Sequence, residues 1–175
     1  MDHPTGRQIA GAVEDRAVEV GRQHRDHAVT RGLGLQIVAG AVRAGGSGDV
    51  TATHRLWTGE TGSNVTSPIY LDGHLYWMSD KMGMAYCAVA ATGELVYQER
   101  LGRFGGAYAS PVLAEGRIYY FDRWGSAVVL AAKPEFEQLA MNRIEGDRTR
   151  FDGSPAVDGN RLLIRSGKFL YCLGK

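Results

Sequence analysis

Three stretches of the chain share one pattern: SPIYLDGHLY at residues 67–76, SPVLAEGRIY at 110–119 and SPAVDGNRLL at 154–163. Each begins with Ser-Pro, continues through a short apolar run to an acidic residue and a glycine, and ends in large apolar residues. The serines at 67, 110 and 154 are 43 and 44 residues apart. A repeat of this length is typical of the four-stranded blades of a β-propeller.

Each repeat is predicted to begin with a β-hairpin. Proline has no N–H to donate to a neighbouring strand and therefore suits the first residue of a strand. The acidic-Gly pairs supply the positive φ that a tight hairpin turn needs. The residues that define the structural repeat are Ser67, Pro68, Gly73, Ser110, Pro111, Gly116, Ser154, Pro155 and Gly159.

Two further strands are predicted after each hairpin. A third strand follows a second glycine, and a fourth strand follows in the first two repeats only. The third strands are expected over residues 84–89, 127–130 and 169–173, and the fourth strands over 94–99 and 136–141. Residues 35–43 and 51–57 predict the last two strands of a preceding blade.

The fold class that follows is all-β: a partial β-propeller of about three four-stranded antiparallel blades. Propellers typically close with ~4–8 blades, so repeats that extend over residues 41–175 alone predict an open arc. The expected units are a partial blade at 41–62, blades at 63–103 and 104–147, and an incomplete blade at 148–175.

Residues 1–40 form a separate, non-repeat segment in this interpretation. All 16 aromatic residues lie at or after Trp57, so this segment has few large side chains to bury. Ile9, Val13, Ala17 and Val20 are spaced as on one face of a helix. The segment is therefore expected to be either disordered or an amphipathic helix.

Composition excludes several classes of protein. The net charge is +1 and 22% of residues are charged, so nothing indicates a nucleic-acid partner. No apolar run approaches the roughly 18 residues of a membrane span. Two cysteines, Cys87 and Cys172, are too few for a disulfide scaffold and are interpreted as separate, buried thiols.

The segment AVAATGELVY at residues 88–97 resembles the tryptophan-docking motif of quinoprotein propellers. Ala88, Thr92 and Gly93 match that motif, whereas Ala90 stands in place of its aspartate and Tyr97 in place of its tryptophan. The docking-like residues are thus Thr92, Gly93 and Tyr97.

With its hairpins, the region 41–175 is similar to the C-terminal blades of PQQ-like (quinoprotein alcohol dehydrogenase-like) β-propeller repeat proteins. Gly-Asp-Val-Thr at 48–51 and the closing segment 170–175 add to the likeness. The resemblance suggests a bacterial protein that is periplasmic or secreted, although the first four residues lack the features of a signal peptide.

Two functions follow from the resemblance. The first is a non-catalytic scaffold whose partner is another protein, as in the outer-membrane barrel-assembly lipoprotein of this fold, or the missing blades of a larger propeller of which this chain is a fragment. The alternative is part of a PQQ-dependent quinoprotein dehydrogenase, with PQQ and calcium. The sequence lacks the vicinal cysteine pair of that family and offers no recognisable catalytic or metal-binding set. A scaffold without cofactor is therefore favoured, and the question of an enzyme stays open.

Several other side chains have a functional and a structural interpretation. Asp80 and Asp122 follow equivalent strands and could line one rim, or could stabilise turns. Trp77 and Trp124 could form the floor of a pocket, or could pack between sheets. The basic residues Arg143, Arg148, Arg150, Arg161 and Arg165 alternate with acids and are interpreted as a solvated face.

Overall fold

A computed structural model of the chain describes residues 16–22, 37–81 and 83–174. Within these residues there are fourteen strands and one short helical turn. The strands form four antiparallel sheets of three, four, four and three strands, numbered here as blades 1 to 4. The prediction of a nearly all-β, partial and open propeller is confirmed.

The bounds of the elements are as follows. Blade 1 contains β1 (Arg16–Arg22), β2 (Ile37–Arg43) and β3 (Arg55–Gly59), with the helical turn α1 (Thr51–His54) before β3. Blade 2 contains β4 (Ile69–Leu71), β5 (His74–Met78), β6 (Met84–Val89) and β7 (Leu95–Arg100). Blade 3 contains β8 (Val112–Ala114), β9 (Arg117–Phe121), β10 (Ser126–Ala131) and β11 (Gln138–Arg143). Blade 4 contains β12 (Ala156–Asp158), β13 (Arg161–Arg165) and β14 (Leu170–Gly174).

The Ser-Pro pairs lie where one blade meets the next. Each proline directly precedes the first strand of its sheet, where its missing N–H is harmless. The N–H of Ser67 donates to the hydroxyl of Ser110 at 2.9 Å, and the N–H of Ser110 donates to the hydroxyl of Ser154 at 3.0 Å. One serine per repeat therefore connects three successive blades through equivalent hydrogen bonds.

In the third hairpin the turn lies one residue later, relative to the acidic-Gly pair, than in the other two. Asp72 and Gly73, like Glu115 and Gly116, both have positive φ, as a type I′ turn requires. In blade 4 the paired residues are Asp158 and Arg161, so the turn consists of Gly159 and Asn160. Gly159 has φ of 57° and Asn160 does not have a positive φ. The turn predicted at Asp158 and Gly159 therefore lies one residue later, at Gly159 and Asn160. Gly159 is the turn residue that adopts a positive φ here, and it occupies the first turn position.

The predicted strand over residues 51–57 is wrong in its first half. Residues Thr51–His54 form α1, because the carboxylate of Asp49 accepts the N–H of Thr51 and the carbonyl of Val50 accepts the N–H of His54. Only the second half of that stretch extends, as β3, and it pairs with β2.

The expected helix in the N-terminal segment also needs correction. Ala17 and Val20 lie in β1, which pairs with β2 over seven residues, so a strand and not a helix forms here. Backbone pairing with β2 stabilises a strand here more than the helical spacing of a few apolar residues stabilises a helix. Ile9 and Val13 lie outside the described residues. The blade boundaries drawn from the sequence remain predictions.

Apolar side chains fill the space between adjacent blades. One cluster joins blades 1 and 2 and includes Ala39 and Trp77, a second joins blades 2 and 3 and includes Tyr76 and Tyr120, and a third joins blades 3 and 4 around Phe151. Each of these four large side chains is at most 2% exposed. The core of the molecule is thus three layers between four sheets.

Trp57 of blade 1 docks on the docking-like turn of blade 2. Its indole N–H donates to the carbonyl of Ala90 at 2.8 Å. A Cβ on Gly93 would lie 2.5 Å from Trp57 Cδ2, so only glycine leaves room for the ring. Tyr97 takes the equivalent strand position in blade 2 and packs edge-on against Phe136 of blade 3 at 5.6 Å.

The far surface of blade 4 is uncovered within the described residues. In blade 2, the positions that face the next blade are Ile69, Leu71, Tyr76, Met78, Ala85 and Cys87. The matching positions of blade 4, by strand register, are Ala156, Asp158, Leu163, Arg165, Leu170 and Cys172. Leu170 is 71% exposed, and Cys172 is exposed and not buried as expected, because no sheet formed by residues 16–22, 37–81 and 83–174 covers it. We refer to these six residues of blade 4 as the outer face.

Substitution of Gly93 tests the docking contact. Gly93→Ala should lower the free energy of unfolding by about 2–4 kcal/mol, because the Cβ meets the Trp57 ring and the backbone has φ of 75°. The control is Gly73→Ala, with φ of 79° and no atom within 4 Å of the added Cβ, for which about 1 kcal/mol is expected. Urea unfolding of both variants measures the difference, and equal losses would contradict the docking contact.

Candidate functional site

The loops at one end of the blades form the candidate site. In each four-stranded sheet, the connection between the second and third strands lies at the same end as the connection that enters from the preceding blade. The described residues of these connections, 60–68, 79–81, 83, 101–109, 122–125, 144–153 and 166–169, are called the loop face. Loops held by a rigid sheet framework are common sites of binding.

Arg123 forms the centre of the loop face between blades 3 and 4. Its guanidinium donates to both carboxylate oxygens of Asp152, at 2.6 Å and 3.0 Å, and lies 3.8 Å from the centre of the Tyr108 ring. The hydrogen bonds raise the pKa of Arg123 and lower the pKa of Asp152. A two-point ion pair of this kind is stronger and more directional than a single contact.

The ring of Trp124 contacts a second arginine, Arg150. The guanidinium of Arg150 lies 3.6 Å from the centre of the Trp124 ring, and Trp124 is 46% exposed. A cation over an aromatic face is held electrostatically by the ring, so Arg150 is kept in place although it is exposed. We name the group Tyr108, Arg123, Trp124, Arg150 and Asp152 the aromatic-arginine patch.

Buried carboxylates support the loops from beneath. Asp122 accepts the backbone N–H groups of Gly105 at 3.1 Å, Trp124 at 2.8 Å and Ser126 at 2.8 Å. Asp80 accepts more distant N–H groups from Asn64, at 3.4 Å and 3.5 Å. Of the two interpretations of this pair, stabilisation of turns fits these contacts, and Asp122 thereby orients the loop that carries Arg123 and Trp124.

Asp147 connects the loop face to the last strand. Its carboxylate accepts the N–H of Thr149 at 2.8 Å, the hydroxyl of Thr149 at 2.7 Å and the hydroxyl of Tyr171 at 2.8 Å. Hydrogen bonds from Ser166 and Thr149 hold the pKa of Asp147 well below its usual value. The segment that leads to Arg150 is therefore tied to β14.

The two tryptophans of the sequence analysis have different positions. Trp77 is 1% exposed and stacks on Tyr86 at 5.2 Å between blades 1 and 2, so it is a packing residue. Trp124 lies exposed on the loop face, where its ring contacts Arg150. Cys87 is buried between blades 2 and 3, where burial raises the pKa of its thiol to about 11.

Of the residues of the aromatic-arginine patch, the sequence singles out only Trp124 as a candidate site residue. The sequence pattern places Arg150 among the basic residues of a solvated face, and no motif marks Tyr108, Arg123 or Asp152. The sequence offers only a partial indication of this site, namely tyrosine, tryptophan and arginine in predicted loops, which are residue types typical of protein interfaces. The contact between Arg123 and Asp152 joins residues 29 positions apart, which no local pattern reveals.

Within residues 16–22, 37–81 and 83–174, no three His, Cys, Asp or Glu side chains gather as a metal-binding group. The same residues include no helix that could span a membrane.

Comparison with solved structures identifies the fold. BamB from Moraxella catarrhalis has a TM-score of 0.60 at 16% identity, over 78% of this chain and 40% of that one. The quinohemoprotein alcohol dehydrogenase ADHIIG from Pseudomonas putida HK5 has a TM-score of 0.51 at 18% identity, over 61% and 17%. This chain has the PQQ-like β-propeller fold. It spans less than half the length of either of these two proteins.

A computationally designed protein, Ika4, is similar in length as well as fold. It has a TM-score of 0.54 at 11% identity, over 97% of this chain and 99% of that one. No protein-family model and no curated protein sequence matches the chain. At these identities the similarity establishes the fold and leaves function to the residues of the site.

The hydrogen bonds to Asp147 predict a pH dependence of stability. Because the pKa of Asp147 in the folded chain lies below its usual value of 3.8, its contribution is full above that value and is lost as the pH falls further. Asp147→Asn should lower the thermal midpoint at neutral pH and reduce the loss of stability between neutral pH and about pH 3. Thermal unfolding across this range tests it.

A matched control is Asp158→Asn, at an exposed strand position that keeps Asp147 intact. It should retain the wild-type acid dependence. An unchanged acid dependence in Asp147→Asn would mean that the carboxylate contacts do not stabilise the fold.

Proposed function

We propose that this chain is a non-catalytic protein-interaction scaffold that binds its partner through the aromatic-arginine patch. The observation that carries the proposal is the exposure of Tyr108 and Trp124 on one face, each with a guanidinium within 3.8 Å of its ring centre. Tyrosine, tryptophan and arginine are the residues that most often contribute large binding energies at protein interfaces.

The patch is organised before binding. Arg123 is fixed by Asp152 and Tyr108, Arg150 is fixed by Trp124, and the backbone that carries Arg123 and Trp124 is held by Asp122. Long arginine side chains lose conformational entropy when a partner immobilises them. Contacts that already restrict them reduce that loss and so favour binding.

The patch joins two blades. The contact between Arg123 of blade 3 and Asp152, which leads into blade 4, combines with a backbone hydrogen bond from Phe151 to the carbonyl of Arg123. A surface that spans a joint between blades is rigid only while the blades remain packed. This arrangement suits a rigid framework that presents a binding surface. Binding of this kind requires no catalytic residues at the site.

Site-specific photo-crosslinking tests the scaffold proposal. A photoreactive phenylalanine analogue at position 108 should give a discrete crosslinked product with another protein in cells of the source organism. The control is the same analogue at Tyr70, an exposed tyrosine of β4 that lies away from the loop face. No product at position 108, or equal products at both positions, would contradict the proposal.

The alternative, a portion of a PQQ-dependent quinoprotein dehydrogenase, predicts a different result. Incubation of the full chain with PQQ and calcium should then give a protein-bound quinone absorbance after removal of free cofactor. The scaffold proposal predicts no such absorbance, and stoichiometric binding of PQQ would overturn it in favour of the dehydrogenase.

A further inference from the structure

A basic cleft opens beside the aromatic-arginine patch. It has a volume of about 220 Å³ and lies between the segment that enters blade 4 and the loop that follows β13. Its lining residues are Arg150, Asp152, Gly153, Arg165, Ser166 and Gly167. We refer to this feature as the basic cleft.

The charge of the basic cleft is positive. Arg150 and Arg165 line it, and within residues 39–81 and 83–174 neither forms an ion pair with a carboxylate. Asp152 is the single acidic residue of the lining. Arg123 holds it through two hydrogen bonds, and Arg150 also attracts it electrostatically, so three guanidinium groups surround one carboxylate. Two guanidinium groups therefore remain available to an anion.

The walls of the cleft hold its shape. The N–H of Gly167 donates to the carbonyl of Arg150 at 2.8 Å, which joins the two sides. The hydroxyl of Ser166 accepts the N–H groups of Lys168 and Phe169, at 3.1 Å and 2.9 Å, so it orders the second loop. Gly153 and Gly167 have no side chains to fill the space. The Trp124 ring holds the guanidinium of Arg150 above its face.

We infer that the basic cleft receives an aspartate or glutamate side chain from an acidic segment of the partner protein. The inference rests on the proposed scaffold function and names the chemistry of its partner. Charge complementarity carries it: arginine recognises a planar carboxylate with two parallel hydrogen bonds. Arg150 and Arg165 line one cleft, and within residues 39–81 and 83–174 neither is hydrogen-bonded to a carboxylate. The adjacent exposed Trp124 and Tyr108 then supply apolar contact to the same segment.

Fluorescence anisotropy with a labelled hexaglutamate peptide tests this inference on the full chain. Hexaglutamate should bind, hexaglutamine should not, and added salt should weaken the interaction because it screens the charges. Arg150→Gln and Arg165→Gln should each weaken binding about tenfold, since each removes one charge-assisted contact. Two independent variants guard against a local folding defect, which circular dichroism detects.

The matched control is Arg117→Gln. Arg117 lies after the hairpin at the opposite end of blade 3, and its exposed side chain is 3.5 Å from Glu115. This variant should bind hexaglutamate like the unmodified chain. An equal loss for Arg117→Gln would show attraction to overall charge and would overturn the assignment to the cleft.

Other outcomes separate this inference from the scaffold proposal. A crosslinked partner at position 108 without hexaglutamate binding would leave the scaffold intact and refute the acidic segment. Competition by inorganic phosphate far stronger than by hexaglutamate would assign the cleft to phosphate groups and would also refute it. Hexaglutamate binding that both arginine variants weaken supports the inference even where the crosslink fails.

Discussion

The structure depends on the contact between neighbouring blades. A sheet that lies between two neighbours has two apolar faces, and each of these faces is stable only when another sheet covers it. The interlocking of Trp57 with Gly93, the hydrogen bonds between the Ser-Pro serines and the three buried clusters all act between blades. The repeated residues in the sequence therefore form contacts between blades as well as defining the strands within each blade. Because the backbone of each blade is held by its neighbours, the loops at its ends are free to carry different side chains.

Much of the fold follows from the sequence, because it depends on residues that act locally. Proline at a strand start, glycine in a turn and short apolar runs predict where strands begin and end. The failures have physical causes. The register of the third hairpin depends on a single positive φ at Gly159, α1 depends on hydrogen bonds from Asp49 and Val50, and β1 exists through pairing with β2. The aromatic-arginine patch could not be predicted, because Arg123 and Asp152 meet only when blades 3 and 4 pack together.

The outer face of blade 4 shows that the same strand position carries different residue types in an inner blade and in the last blade. In blade 2 the positions that face the next blade are all occupied by apolar or aromatic residues. At the matching positions of blade 4, Asp158 and Arg165 stand beside the exposed Leu170 and Cys172. Charged residues at the end of a stacked array keep an uncovered face compatible with water. Arg165 also lines the basic cleft, so one side chain contributes both to the outer face and to the charge that the cleft offers a carboxylate. Blade 4 thus combines a sheet face that no other described strand covers with part of the surface proposed to bind a partner.

Hydrogen exchange measured by mass spectrometry tests the central role of the contacts between blades most directly. The account predicts that amides of β5, β6, β9 and β10 exchange slowest and together, because blades 2 and 3 are covered on both faces. Amides of β13 and β14 should exchange earlier, since the described part of the chain covers blade 4 on one face only. Equal protection in blades 2, 3 and 4 would contradict the account, because stability would then arise within each sheet and not between the sheets.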